Sequence, residues 1–301
     1  MNEELFSQNG LSLERLRAFA EIVGAGGPTS AAKGDSTRQS QYSRQLKELE
    51  EFFGTELFVR RDGRWVLTVS GRNLYQLNNE YLGALNDFLL QCGNEPVALR
   101  IGAGESFFQW RLLPCFKKLR QEMPETRLIL LNRRSDDVAA ALIAGDLEFG
   151  ILPRSKVTAK LKWALLPRVE YQLFVPSAIC EAIDDVEIDW ALRVPFVLLE
   201  GNGVIREALT TEAARRRLDL NVVLECSSHL QIAEVVRQGH AAAVLPTGAR
   251  VAFPSDSVKV HSLPCLRTVA QQIVCAWNTR LVRTRPIIAK SAGKIVKILS
   301  N

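Results

Sequence analysis

The stretch Ser36-Thr37-Arg38-Gln39-Ser40-Gln41-Tyr42-Ser43-Arg44-Gln45-Leu46-Lys47-Glu48-Leu49-Glu50-Glu51-Phe52-Phe53-Gly54 opens in capping-box form. The Ser36 hydroxyl and the Gln39 side chain there suit the free amide donors of a helix start. Tyr42, Leu46, Leu49 and Phe53 recur at helical spacing along one face, and Gly54 supplies a stop. Arg38, Gln39, Gln41, Arg44 and Lys47 fall largely on the other faces. The spacing therefore predicts a helix with an apolar back and a polar front.

Upstream, Leu13, Leu16, Phe19, Ala20 and Val23 form one apolar stripe of a first helix, which Gly24, Gly26 and Gly27 end. Pro28 suits the first turn of a short second helix through Thr29, Ala31 and Ala32, and Gly34-Asp35 interrupts it. Downstream, Leu57 to Val69 alternates apolar and charged residues around the hairpin signal Asp62-Gly63, with Arg60, Arg61 and Arg64 beside the turn. Three short helices and a basic hairpin, over residues 11–70, are the outline of a winged helix-turn-helix. Residues 71–95 continue as one long helix with Leu74, Leu77, Tyr81, Ala84 or Leu85, and Phe88 at spacings of three and four, a pattern for dimerisation. Gly93-Asn94-Glu95-Pro96 marks a boundary.

Beyond it the rhythm is strand then helix: Ala98–Ile101, Phe107–Met123, Arg127–Leu131, Asp136–Ala144, Phe149–Leu152. A second series runs Phe196–Leu199, Val204–Leu218, Val222–Glu225, Leu230–Gln238, Ala242–Leu245. Such alternation predicts two parallel-sheet lobes. The apolar runs Tyr171–Val175 and Val269–Trp277 are read as crossing between them, and a last helix from about Arg283 to Leu299 as rejoining the first. The fold class expected is a multidomain α+β chain: the winged helix-turn-helix, the linker helix, and an α/β domain over 96–301. Its first lobe spans about 97–170 and 270–301, its second about 171–269.

Bulk properties bound the function. The 301 residues exceed one ordinary core, and 47% hydrophobic with 24% charged residues fits folded domains rather than disorder. The net charge is +5, yet residues 1–95 carry ten basic side chains against thirteen acidic ones, so any anion-binding face there must be local. Cys92, Cys115, Cys180, Cys226, Cys265 and Cys275 are scattered without a C-x-x-C pair, and they and the three histidines show no metal spacing. No metal or other cofactor is expected. Met1 to Gly10 lacks the form of a secretion signal, and no apolar run suits a membrane span, so a cytoplasmic protein is expected.

Taken in order, Thr29-x-Ala31-Ala32, Gln39, Ser43-Arg44-Gln45-Leu46, Leu49-Glu50, Gly54-x-x-Leu57-Phe58-x-Arg60 and Leu67-Thr68-x-x-Gly71 resemble the LysR family of bacterial transcriptional regulators. Further on, Arg100-Ile101-Gly102, Leu113-Pro114, Gly145-Asp146-Leu147-Glu148, Val236-x-x-Gly239 and Leu245-Pro246 are similar to it too. The resemblance implies a periplasmic-binding-protein-like domain with a small-molecule effector between its lobes. It also implies a homodimer or homotetramer, double-stranded DNA with an inverted-repeat operator, and RNA polymerase as partners. Two departures stand out: Asp35 after Gly34 where a buried leucine is usual, and Arg38-Gln39-Ser40-Gln41 where Ser-Gln-Pro-Ala is common. A shortened second helix is expected.

For DNA, Arg pairs with guanine and Gln with adenine in the major groove, which singles out Arg38, Gln39, Gln41 and Arg44. Thr29, Ser40, Ser43 and Lys47 suit phosphates, and Arg60, Arg61 and Arg64 the backbone or minor groove. For an effector, strand ends point to Glu105, Ser106 and Phe107, Arg133 and Ser135, Pro153, Asn202, Ser227 and His229, and Thr247. Each serine fits a helix cap equally well, and Asn202 a turn. No catalytic residues are expected, because no nucleophile elbow surrounds a serine. Two rival readings are a thiol redox sensor of the same fold using Cys226, Cys265 or Cys275, and an α/β enzyme or solute-binding protein with an N-terminal dimerisation arm.

Overall fold

The computed structural model describes residues 10–180 and 188–300, so the stretch read for a secretion signal lies, up to residue 9, outside them. Helix α1, Leu13–Ala25, is capped by Ser12 and ends at Gly26. The second helix, α2, is a single turn, Pro28–Ala31, followed by Lys33 and Gly34 at positive φ. Helix α3, Ser36–Phe53, starts where the sequence indicates, but the capping box does not form. Its cap is Asp35, whose carboxylate accepts the Arg38 N–H at 3.1 Å. The departure at Asp35 thus has a local reason: a short carboxylate satisfies the exposed amides and favours the positive helix end.

Strands β1 (Phe58–Arg61) and β2 (Arg64–Leu67) pair antiparallel. Asp62 and Gly63 both take positive φ, as a two-residue hairpin of this hand requires. Phe19, Ile22, Leu46, Leu49, Leu57 and Phe58 form the core behind α3 and the hairpin. Glu50 fixes one to the other, its carboxylate accepting the N–H groups of Leu57 and Phe58 at 2.7 and 3.2 Å. Helix α4, Val69–Cys92, is capped by Thr68. Leu74 joins the N-terminal core, while Leu77, Tyr81, Leu85 and Phe88 are exposed along the helix.

The first lobe is a five-stranded sheet in the order β4-β3-β5-β12-β6, with β3 Val97–Ala103, β4 Thr126–Asn132, β5 Phe149–Pro153, β6 Leu161–Leu165 and β12 Ile273–Asn278. β3, β4 and β5 are parallel; β12 runs against both β5 and β6. Between β3 and β4 the expected single helix is broken into Glu105–Phe107, a wide turn Phe108–Leu112, a tight turn Leu113–Cys115, and helix α5, Phe116–Glu122. Pro114 has no N–H to continue a regular ladder. Helix α6, Ser135–Ala144, covers one face, and α10 (Thr279–Thr284) and α11 (Pro286–Ser300) complete the lobe. Pro286 divides the last helical region that the sequence read as one.

In the second lobe β7 (Tyr171–Pro176) lies between β10 (Ala243–Pro246) and β11 (Val258–His261), antiparallel to both. Strands β8 (Phe196–Leu199) and β9 (Val222–Cys226) are parallel, and a Phe196–Ala242 bridge joins them to β10's end. Helices α7 (Ile188–Arg193), α8 (Val204–Arg215) and α9 (His229–Arg237) flank the strands. Two expectations need correction. The runs from Tyr171 and to Trp277 supply strands within the lobes, and the crossings are the short segments 166–170 and 268–272, which meet at the Val169–Gln271 bridge. The sheets are mixed rather than parallel, because those two runs are strands of opposite direction: β12 runs against β5 and β6, and β7 against β10 and β11.

Candidate functional site

Two places gather the singled-out residues. On the N-terminal domain, Thr29, Arg38, Gln39, Ser40, Gln41, Ser43, Arg44 and Lys47 are all exposed, as are Arg60, Arg61 and Arg64 on the hairpin. Because Leu46 and Leu49 hold the back of α3 in the core, its polar front is fixed outward. Ser40 is engaged locally, its hydroxyl donating to the Ser36 carbonyl at 3.0 Å. Arg60 lies 4.8 Å over the Trp65 ring, which steadies one side of the hairpin. Arg44 donates to Glu48 at 2.9 Å, and Glu48 also takes Arg15 at 2.6 Å. Those two guanidinium groups hold the Glu48 carboxyl below its ordinary range. An exposed pair of this kind is weak, so Arg44 can leave Glu48 for another anion while Arg15 keeps that carboxylate partnered.

The second place is a cavity of about 220 Å³ between the lobes, where the crossings meet. Of the strand-end residues, Ser106, Phe107, Ser135, Pro153 and Thr247 line it. Sequence reasoning missed Trp110, Arg111, Arg168, Tyr171 and Gln271, which line it as well. Arg168 and Gln271 belong to the crossings, and Trp110 and Arg111 to the wide turn that was read as plain helix. The cue in the sequence was Leu113-Pro114, which breaks a helix just after them.

Glu105 stands at this cavity's border with another task. Its carboxylate accepts the Ser228 hydroxyl at 2.8 Å and the His229 N–H at 3.0 Å, latching the first lobe to the start of α9 in the second. Ser228 in turn caps α9 by accepting the Leu230 N–H. His229 packs edge-on to Trp110 and lines a separate apolar cavity of about 170 Å³ in the second lobe. Burial pushes its imidazole below the ordinary range, against the opposing pull of Glu105. Arg133 lies elsewhere, in a groove between α4 and the first lobe. Asn202 and Ser227 are exposed and belong to neither cavity lining; the Ser227 hydroxyl meets Gln231 at 3.3 Å.

Among the described residues no group of three or more His, Cys, Asp or Glu side chains is placed to hold a metal ion, and no helix is long and apolar enough to cross a membrane. The six cysteines are free. Burial drives the Cys275 thiol up to about 12 and raises Cys226 and Cys265. A sensing thiol needs the opposite shift. Iodoacetamide at neutral pH is expected to modify exposed Cys92 first and to leave Cys275 intact until the chain is unfolded. Peptide mapping that finds Cys275 or Cys265 alkylated ahead of Cys92 would restore the redox reading.

Two parts of the chain match known family models. Residues 13–72 match the model of the bacterial regulatory helix-turn-helix protein, lysR family, and residues 95–288 match that of the LysR substrate binding domain. A probable HTH-type transcriptional regulator, LrrA of Synechococcus elongatus, is 28% identical, over 84% of this chain and 87% of its own length. Among solved structures, full-length LysG of Corynebacterium glutamicum with bound effector Arg superposes with a TM-score of 0.63 at 18% identity, covering 96% of this chain and 98% of that one. Full-length CbnR complexed with its target DNA gives 0.58 at 16% identity, covering 96% and 100%.

Proposed function

The chain belongs to the LysR family of bacterial transcriptional regulators, and on that footing we propose which surfaces carry its two tasks. It is a LysR-type transcriptional regulator with a helix-turn-helix and an effector-binding domain. The DNA-reading surface is the exposed front of α3 with the β1–β2 hairpin. Arg38, Gln39, Gln41 and Arg44 face base edges, and Thr29, Ser43, Lys47, Arg61 and Arg64 face the backbone. The observation that carries this is the single-sided build of α3, with Leu46 and Leu49 buried behind a row of exposed hydrogen-bonding side chains. CbnR, similar in fold, was solved on its target DNA.

The exposed row Leu77, Tyr81, Leu85 and Phe88 on α4 is the seam of a homodimer, and higher assembly such as a tetramer builds on it. Two α3 helices related by a twofold read an inverted repeat with half-sites a whole number of turns apart. The effector site is the cleft where the crossings meet. Action in the bacterial cytoplasm and on RNA polymerase follows from the family. Arg44→Ala is expected to weaken operator binding roughly tenfold or more at moderate salt. Fluorescence anisotropy with the full chain measures it, and an unchanged isotherm removes Arg44 from the reading face.

A further inference from the structure

We infer that the effector of this chain is a small organic anion, a carboxylate with a compact apolar body, held between Arg111 and Arg168. The inference rests on the cleft being the effector site and adds the chemical class.

Charge decides the sign. Among the described residues, the only acidic or strongly basic side chains that line the cavity are those two arginines. Glu105, at its border, is engaged by Ser228 and His229 across the lobes. Arg111 donates its Nε and Nη2 to the Leu299 carbonyl at 3.1 and 2.8 Å. Arg168 does the same to the Ala270 carbonyl at 3.3 and 3.0 Å. These contacts hold each guanidinium through a neutral carbonyl, and among the described residues no carboxylate pairs with either. Both cations line one partly enclosed space and are anchored through neutral carbonyls, so an anion entering it meets two positive charges.

Size and polarity narrow the class. About 220 Å³ is below the range of roughly 300–1,000 Å³ that drug-sized ligands fill, so the molecule is a small metabolite. Ile151, Leu166 and Ile273 supply apolar wall for its body. The Trp110 ring, packed into the core of the second lobe, adds to that wall. A basic amino acid such as the arginine bound by LysG would instead bring a net positive charge to two resident cations.

The test is thermal unfolding and calorimetric titration of the full chain with benzoate, succinate and 2-oxoglutarate in one set, and arginine and putrescine in another. At least one anion is expected to raise Tm and to bind, with Arg168→Gln weakening it by roughly tenfold or more, the loss typical of a charge-assisted pair. Thr247→Trp, which fills the cleft from the other lobe, is expected to abolish the same binding. Both variants are first checked for an unchanged Tm without ligand. If Thr247→Trp abolishes binding and Arg168→Gln does not, the anion assignment is overturned while the cleft stands. If neither variant alters it, the cleft reading falls as well. Stronger binding of the cationic set, or no binding by any anion, also overturns the inference.

Discussion

Replacing Arg285 by methionine is expected to lower stability by about 3–5 kcal/mol, the cost of removing one member of a buried charge group and stranding the rest. Arg285 is 4% exposed and donates to both oxygens of Asp87 on α4, at 2.7 and 3.0 Å, while its other arm reaches Glu148 in the first lobe. Burial alone would push the guanidinium down, but Asp87 and Glu148 hold it above its ordinary value. After substitution the two carboxylates fare differently. Glu148 keeps the Arg100 N–H at 2.6 Å and the Arg100 side chain at 3.5 Å, whereas Asp87 loses both bonds. Most of the loss therefore belongs to Asp87. A second change, Asp87→Leu, on the Arg285→Met background is expected to recover much of the stability, because it removes the stranded charge. Urea unfolding of the four species forms a double-mutant cycle. A single-variant loss below about 1 kcal/mol, the range of an exposed pair, would show that the cluster is hydrated and weak.

The position of this cluster bears on regulation. Glu148 immediately precedes β5, and the far end of β5 lines the cleft at Ile151 to Pro153. Arg285 follows α10, which continues from β12, whose Ile273 lines the cleft too. Two adjacent strands of one sheet thus run from the cleft to a charge cluster that grips the linker helix. Tyr75 and Asn79, further up α4, hold Asp146 on the same side. The linker helix is therefore clamped to the lobe along much of its length, which gives a change in the cleft a stiff connection to the helix that carries the N-terminal domain.

Much of this was legible in the sequence, for identifiable reasons. Helices with one apolar stripe and a terminal glycine, such as α1 and α3, declare both face and end, and Asp62-Gly63 declares the hairpin. What was not legible depends on long-range pairing. Strand β6 has three of its five residues exposed and one buried, so its residues lack an alternating code; it exists because β12 lies beside it. Missing β6 hid the crossing segment after it, and with it Arg168. Glu105 shows the other limit. Its nearness to a strand end was readable, but its engagement by Ser228 and His229 depends on how two lobes close, and more than a hundred residues separate the partners. Asp35 was legible as an anomaly and not as a cap, because Ser36 offers the same chemistry one position later.

Gly71→Ala is expected to destabilise the N-terminal domain by about 2–3 kcal/mol, although alanine is the better helix former. Propensity favours the change by at most about 1 kcal/mol. Against it, a Cβ at position 71 would overlap the Leu57 carbonyl oxygen and come within 2.9 Å of Leu67 Cδ2. That carbonyl cannot yield easily: it accepts the Thr68 N–H at 3.0 Å and the Thr68 hydroxyl at 3.3 Å, and Leu57's own N–H is held by Glu50. Relief must therefore come from moving the start of α4 away from the hairpin, which opens the core at Leu57 and Phe58 and displaces the β1–β2 arginines from α3. Steric strain outweighs propensity, and the reading face is lost with it. Gly83→Ala is the matched control on the same helix, since the nearest atoms a Cβ there would meet, those of the Arg285 side chain, lie at 3.4 Å, ordinary contact. Circular dichroism melts with operator titrations are expected to show Gly71→Ala lowered in both stability and binding, and Gly83→Ala unchanged or slightly stabilised. Equal behaviour of the two variants would mean that the Thr68-x-x-Gly71 spacing serves helix capping alone and not the close approach of α4 to the hairpin.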